Sequence, residues 1–247
     1  MRRDTLSGRY ARQVGIPGFG SEGQERLARA HAVVLGAGGL GFPVLTYLGA
    51  AGVGRITFID HDVVSESNLN RQCLFRLVDV GRRKTEVAAE RLCAMNPEVV
   101  WSAIGEKLAP AIAERLLDGA DVAVDCADNY EARAVLAAAA RCAGVPLVHG
   151  AVAGYEGQIA VLGPAGRPCF RCLYEEPPPA SEAPPVLGAV AGVVGSLMAV
   201  EAFGLNRSEV QYRRGEYPLL GATFPTRLGK EAVGVVEAVG PGVEGVA

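Results

Sequence analysis

Residues 32–60 read AVVLGAGGLGFPVLTYLGAAGVGRITFID, and this stretch decides the fold. Ala32 to Leu35 is a short apolar run carrying two valines, which predicts a strand buried on both faces. It runs straight into Gly36-Ala37-Gly38-Gly39-Leu40-Gly41, where glycine lets the backbone turn sharply and leaves peptide N–H groups open to a phosphate. Phe42 to Ala51 has helical composition, with Pro43 tolerated in the first turn. Gly52-Val53-Gly54 stops that helix, and Arg55 to Ile59 forms a second strand ending on Asp60. An acidic residue about 20 positions beyond the glycines is where a ribose hydroxyl is held. Gly36, Gly38, Gly39, Gly41 and Asp60 are therefore candidate nucleotide-binding residues, which predicts a site and not yet a reaction.

On the N-terminal side, residues 8–30 predict a polar arm with Arg9 and Arg12, a Pro-Gly turn, and a helix from about Ser21. On the other side, Asp60 opens a loop crowded with polar groups: His61, Asp62, Ser67, Asn68, Asn70, Arg71 and Gln72. It follows a strand end, where open α/β sheets bind ligands. Gly81-Arg82-Arg83-Lys84 opens a helix running to about Met95. Cations in a first turn oppose the helix dipole, which points to an anion there, a phosphate. Val99–Ile104 predicts a strand, 110–117 a helix, and Ala120–Cys126 another buried strand that delivers Asp128 and Asn129 to the same edge. Asp128 either holds a metal-bound phosphate or caps the following helix, Tyr130 to Cys142. His149, ending the next strand, reads as a satisfied core or edge histidine.

From Gly150 the pattern changes, and 157–162 predicts an antiparallel strand. Cys169 and Cys172 supply two thiolates where a structural zinc needs four ligands. Residues 175–185, EEPPPASEAPP, predict a mobile loop, followed by a helix at 195–203 and short strands at 210–212 and 222–224. The organisation expected is an α/β protein, a Rossmann-like doubly wound, mostly parallel sheet with a C-terminal antiparallel extension. Residues 1–30 form the arm and first helix, 31–228 the main domain, and 229–247 a valine- and glycine-rich tail of no evident function.

A chain of 247 residues at 49% hydrophobic builds a substantial core. With 24 basic and 27 acidic residues the net charge is −3, so neither nucleic acid nor an anionic membrane is an expected partner. The longest apolar stretch, 186–200, is interrupted by Gly188, Gly192, Gly195 and Ser196 and reads as a buried helix. No segment matches a signal peptide or membrane span, which predicts a cytoplasmic protein. The six cysteines are then free thiols or ligands, with Cys73, Cys93, Cys126 and Cys142 expected in the core.

The glycine turn alone fits many dehydrogenases. The ordered set is more specific: Arg9-Tyr10-Ala11-Arg12-Gln13, the glycine turn, Asp60-His61-Asp62, Ser67-Asn68-Leu69-Asn70-Arg71-Gln72, Gly81-Arg82-Arg83-Lys84 and Asp125-Cys126-Ala127-Asp128-Asn129. It continues through Gly154-Tyr155-Glu156-Gly157-Gln158, Cys169-Phe170-Arg171-Cys172 and Gly195-Ser196-Leu197, and over residues 8–225 it resembles the ThiF/MoeB/HesA family, bacterial relatives of ubiquitin-activating enzymes. The resemblance implies adenylation, from Mg-ATP, of the C-terminal glycine of a ubiquitin-like sulfur carrier protein. It further implies that the glycines line the nucleotide, Asp60 holds the ribose, Asn68, Arg71 and Lys84 contact phosphates, and Asp128 positions Mg²⁺ beside Asn129. Asp62, Ser67 and Gln72 belong to the same nucleotide set, and Arg12 reaches the phosphates of a partner subunit, implying a homodimer.

Two departures stand out. The family's second CxxC is missing, so zinc at Cys169 and Cys172 is not expected. The cysteine that family members use for covalent transfer is also missing, with Ser181 near its place and no cysteine between 175 and 194. A separate sulfur donor is therefore expected. Competing readings are an NAD or FAD oxidoreductase, which leaves Arg71, Lys84 and Asp128 without roles, a tRNA threonylcarbamoyladenosine dehydratase, disfavoured by the charge, and an inactive binding partner.

Overall fold

The computed structural model describes residues 8–163, 169–174 and 184–204. The chain runs α1 (Ala11–Val14), α2 (Gly20–Leu27), β1 (His31–Leu35), α3 (Gly41–Ala50), β2 (Arg55–Ile59), α4 (Lys84–Met95), β3 (Val100–Ile104) and α5 (Pro110–Leu117). It continues through β4 (Val122–Asp125), α6 (Tyr130–Ala143), β5 (Leu147–Ala153), β6 (Glu156–Leu162), α7 (Phe170–Leu173) and α8 (Gly188–Gly204). The strands form one sheet in the order β3-β2-β1-β4-β5-β6, with β1 to β5 parallel and β6 antiparallel to β5. This is the doubly wound sheet with an antiparallel extension that the strand pattern predicts.

Period-two alternation divides β1 between two helical layers. Ala32 and Val34 point into a core with Leu45, Leu48, Phe58, Leu92 and Met198, beneath α3, α4 and α8. Val33 and Leu35 point into a second core with Ile59, Leu117, Leu136 and Leu147, beneath α5 and α6. Each fully buried Leu, Ile or Phe contributes about 1.5–3 kcal/mol to this packing. The register aligns Ile104, Ile59, Leu35, Asp125 and His149 in one row across the sheet. The residues that follow, Gly36, Asp60 and Cys126, thus leave the sheet at the same edge. The chain moves outward from β1 to β2 on one side and to β4 on the other, so a crevice opens at the C-terminal end of β1.

Helix α8 spans Gly188–Gly204 as one element, joining the helix read at 186–200 to that expected at 195–203. Glycine costs a helix about 1 kcal/mol relative to alanine, which weighs against the glycines in it, but close packing overrides this. A Cβ on Gly195 would lie 2.5 Å from the Leu40 carbonyl oxygen, and one on Gly188 only 2.3 Å from that of Asn70. Nor is α8 wholly buried, since Val193, Leu197 and Val200 are exposed. Of the four cysteines expected in the core, only Cys126 is buried; Cys73, Cys93 and Cys142 are exposed, because the turn and helix faces that carry them point to solvent. The expected 210–212 and 222–224 strands, Ser181 and the tail from Gly229 lie outside the described residues.

Candidate nucleotide site

Gly36 opens the turn after β1 with φ of 92°, a conformation that a side chain strains, and a Cβ there would sit 2.9 Å from the Cys126 carbonyl oxygen. Its N–H donates to Ile59 at 2.8 Å, tying the turn to β2. Asp60, at the end of β2, accepts the Ala37 N–H on Oδ2 and the Asp62 N–H on Oδ1, both at 2.9 Å. This fixes the carboxylate against the glycine turn while leaving lone pairs for a ligand hydroxyl.

The loop after β2 folds back onto the turn. Ser65 to Asn68 closes a 3₁₀ turn in which Asn68 Oδ1 accepts the Ser65 N–H at 3.2 Å and Ser67 Oγ lies 3.0 Å from Ser65 Oγ. Arg71 is held by the Ser67 carbonyl at 2.9 Å and by Asn70 Oδ1 at 3.0 Å, and has no carboxylate partner among the described residues. Its stem passes 3.5 Å from where a Gly39 Cβ would be, and Ala191 of α8 closes the other side at 3.3 Å. Gln72 is buried beside Gly38, and its Oε1 has no hydrogen-bond partner among the described residues. Lys84 is only 5% exposed, and its Nζ lies 2.7 Å from Asp62 Oδ2. The ammonium opening α4 thus has a carboxylate counterion, a reason for its place that the dipole consideration alone does not supply. Asp60, His61 and Asp62 bring ligand atoms within 4.8 Å of one another, but backbone N–H groups and Lys84 already occupy the two carboxylates.

Across the crevice, β4 ends in the loop bearing Asp128. The cap of α6 is Asn129, whose Oδ1 accepts the Ala132 N–H at 2.9 Å. Asp128 is therefore not the cap; it is exposed, with only Asn129 Nδ2 nearby at 3.4 Å. The structure thus brings Gly36 to Gly41, Asp60, Asp62, Arg71, Gln72 and Lys84 to one edge, with Asp128 and Asn129 on the facing loop.

With this arrangement in view, the ThiF family model matches residues 10–215. The chain belongs to the ThiF family. This ThiF-family chain is 47% identical over 205 residues to the sulfur carrier protein adenylyltransferase of Thermus thermophilus, covering 78% of this chain and 75% of that one. It is 40% identical over 226 residues to the SAMP-activating enzyme E1 of Haloferax volcanii, covering 88% and 83%. Among solved structures, E. coli MccB with ATP superposes with a TM-score of 0.68 at 26% identity, over 81% of this chain and 63% of that one. A second model, the alcohol dehydrogenase GroES-like domain, matches residues 192–247, a similarity that the valine-glycine tail did not disclose.

Arg12, by contrast, stands on α1, exposed and without an ion-pair partner among the described residues. The arm that carries it is anchored: Tyr10 donates to Glu98 Oε2 at 3.0 Å and accepts from Asn96 Nδ2 at 2.9 Å, and Gln13 Nε2 donates to the Ala51 carbonyl at 3.0 Å. Burial, ahead of its polar partners, pushes the Tyr10 phenol up. Cys169 and Cys172 Sγ atoms are 3.4 Å apart, and the hydrogen bond between them lowers the Cys169 thiol below its ordinary range. His149 is fully buried, as expected of a satisfied histidine, although its partners were not legible. Arg133 and Tyr174, which prove to surround the Asp128 loop, carry no local motif that marks them.

Proposed function

We propose that this ThiF-family chain adenylates the C-terminal glycine carboxylate of a ubiquitin-like sulfur carrier protein, using Mg-ATP. The observation that carries this reading is the division of labour at the Asp128 loop: Asn129 caps α6, and Asp128, just past the end of β4, is exposed and left without the capping task. The names of the Thermus and Haloferax relatives support the same substrate class.

The glycine turn and Asp60 suit an adenosine, and the unpartnered Oε1 of Gln72, beside Gly38, suits a ligand donor lying on the turn. Arg71, Lys84 and the amide of Asn68 would hold the phosphates, with Ser67 shaping their turn. Asp128, beside Asn129, would hold Mg²⁺, which when bound offsets phosphate charge. The carrier carboxylate, ionised at neutral pH, attacks the α-phosphorus; its oxygen–phosphorus bond forms as the bond to pyrophosphate breaks, and no general base is required. The cations lower the repulsion between nucleophile and phosphate and the charge growing on the leaving group.

A homodimer supplies Arg12 of the partner subunit to the phosphates. In support, Phe42, Pro43, Tyr47, Val193 and Leu197 line an open apolar groove of about 500 Å³ between α3 and α8, a face suited to a second copy. Sulfur comes from a separate donor, and Cys169 and Cys172 hold no zinc. The proposed site of action is the cytoplasm; separately, no described helix is long and apolar enough to cross a membrane. The test is carrier-dependent exchange of labelled pyrophosphate into ATP, measured with each carrier protein of the same organism. Exchange with at least one carrier is expected, and its loss in Arg71→Ala; NADH binding in preference to ATP would overturn the reading.

A further inference from the structure

We infer that Arg133, Tyr174, His149 and Asp125 form a closed hydrogen-bond circuit that positions the Asp128 carboxylate, with the Tyr174 hydroxyl as its link to the Cys169–Cys172 segment. The inference rests on the proposed role of Asp128.

Asp125 and His149 are fully buried, neighbours in register on β4 and β5. Two such polar groups inside a core are costly unless satisfied. They are satisfied by one another and by two residues from elsewhere in the chain. Asp125 Oδ2 lies 2.7 Å from His149 Nδ1, and Asp125 Oδ1 accepts the Ala127 N–H at 3.0 Å. A carboxylate only accepts, so Nδ1 carries a proton; in the tautomer with the proton on Nδ1 alone, Nε2 is an acceptor. That nitrogen is 3.0 Å from the Tyr174 hydroxyl, which therefore donates to it. The Tyr174 oxygen is then free to accept from Arg133 Nη1, 3.4 Å away. Arg133 closes the loop, because its Nε and Nη2 both donate to the Ala127 carbonyl, at 3.0 and 2.6 Å.

Each link of this ring pairs a donor with an acceptor, and the ring closes on both backbone groups of Ala127, the residue before Asp128. On the other side Asn129 is fixed by its cap to Ala132. The peptide bearing Asp128 is thus held from both flanks, and the freedom that remains is that of the Asp128 side chain itself. A core needing only volume would be apolar; a satisfied polar ring fixes geometry instead. Tyr174 also stacks edge-on to His149, at 5.6 Å and 87°, and packs on Phe170 at 4.9 Å, so the turn that carries the two thiols is bound to this ring.

Tyr174→Phe keeps the stacking and removes the link. Carrier-dependent pyrophosphate exchange should fall about tenfold, the scale of a small misplacement of a reacting group, with a raised Mg²⁺ requirement and a lowered thermal midpoint, because the buried His149 Nε2 loses its partner. Arg133→Gln should behave alike from the other side of the ring. In an Asp128→Asn background, assayed for residual exchange, neither change should lower the rate further. Wild-type kinetics in both single variants, or equal losses with and without Asp128, would overturn the circuit. Wild-type exchange in Asp128→Asn alone would instead overturn the role given to Asp128, and this inference with it.

Discussion

Lys84 Nζ lies 2.7 Å from Asp62 Oδ2, with the lysine buried and the aspartate half exposed. The lysine backbone N–H also donates to the Asp62 carbonyl at 3.0 Å, so the two residues are joined twice. The ammonium is thereby fixed against the loop that follows β2.

Removing the two partners should not be equivalent. Asp62→Ala leaves a buried ammonium without its carboxylate and should cost about 1–3 kcal/mol in urea unfolding. Lys84→Met removes the charge and keeps volume, and should cost less. Saturating Mg-ATP should stabilise Asp62→Ala more than the wild type in a thermal melt, since a phosphate replaces the lost anion. Equal shifts would remove Lys84 from the phosphate site.

Asp128 and Asn129 are adjacent but have opposite expected signatures. Asn129→Ala loses the α6 cap and should destabilise the fold by about 1 kcal/mol. Asp128→Ala should leave stability within about 0.5 kcal/mol while abolishing pyrophosphate exchange. Both quantities come from one pair of purified variants.

If Arg12 serves the partner subunit, two inactive variants should complement. A mixed dimer of Arg12→Ala and Arg71→Ala contains one site with both arginines and one with neither. Random reassortment of equal amounts makes half of the dimers mixed, so roughly a quarter of wild-type exchange should return. No recovery, with subunit exchange verified by mass spectrometry, would place Arg12 in its own subunit's site or in none.

Asp79 gives the fold a defined acid sensitivity. Burial alone would raise its carboxyl, but the Arg76 N–H and the Arg91 guanidinium, helped by Arg82, outweigh it and hold the group below the ordinary carboxylate range. The stabilisation is complete above the unfolded-state value of about 3.9 and is lost as pH falls through the lower folded-state value. The stability gap between wild type and Asp79→Asn should therefore be constant near neutrality and close in acid. A gap that widens on acidification would show the opposite sign.

The cysteines should sort by environment. Cys169, lowered by its bond with Cys172, should alkylate faster than the exposed Cys142, whereas burial raises the Cys126 thiol and should protect it. Purified protein should contain well under one zinc per chain; stoichiometric metal would show that this pair finds further ligands.

The sheet and its switch point were legible because strand and turn signals are local: an apolar run with two valines, a glycine turn and the apolar run at Arg55–Ile59 specify β1, α3 and β2 on their own. Gly36, Asp60, Asp128 and Asn129 follow strand ends closely, where a sequence can point to them, whereas the placing of Arg71, Gln72 and Lys84 depends on the path of the long loop after β2. The apolar run at 186–200 already marked a helix there; what it could not show is the close approach of Gly188 to Asn70 and of Gly195 to Leu40. The capping role of Asn129 was ambiguous between two neighbouring residues that both suit it. Arg133 and Tyr174 escaped notice because their partners lie 6 and 25 residues away, which no periodicity encodes. The exposure of Cys73, Cys93 and Cys142 depends on loop and helix facing, not on residue type.

The contacts of α8 also order events during synthesis. Gly188 rests on Asn70, Ala191 on Gly39 and Gly195 on Leu40, so the nucleotide turn borrows one wall from a segment made some 150 residues later. A nascent chain that has emerged only through β6 carries every residue of the site except that wall. The turn is therefore completed late, after the sheet has formed, and binding competence on the ribosome should switch on abruptly once α8 clears the exit tunnel.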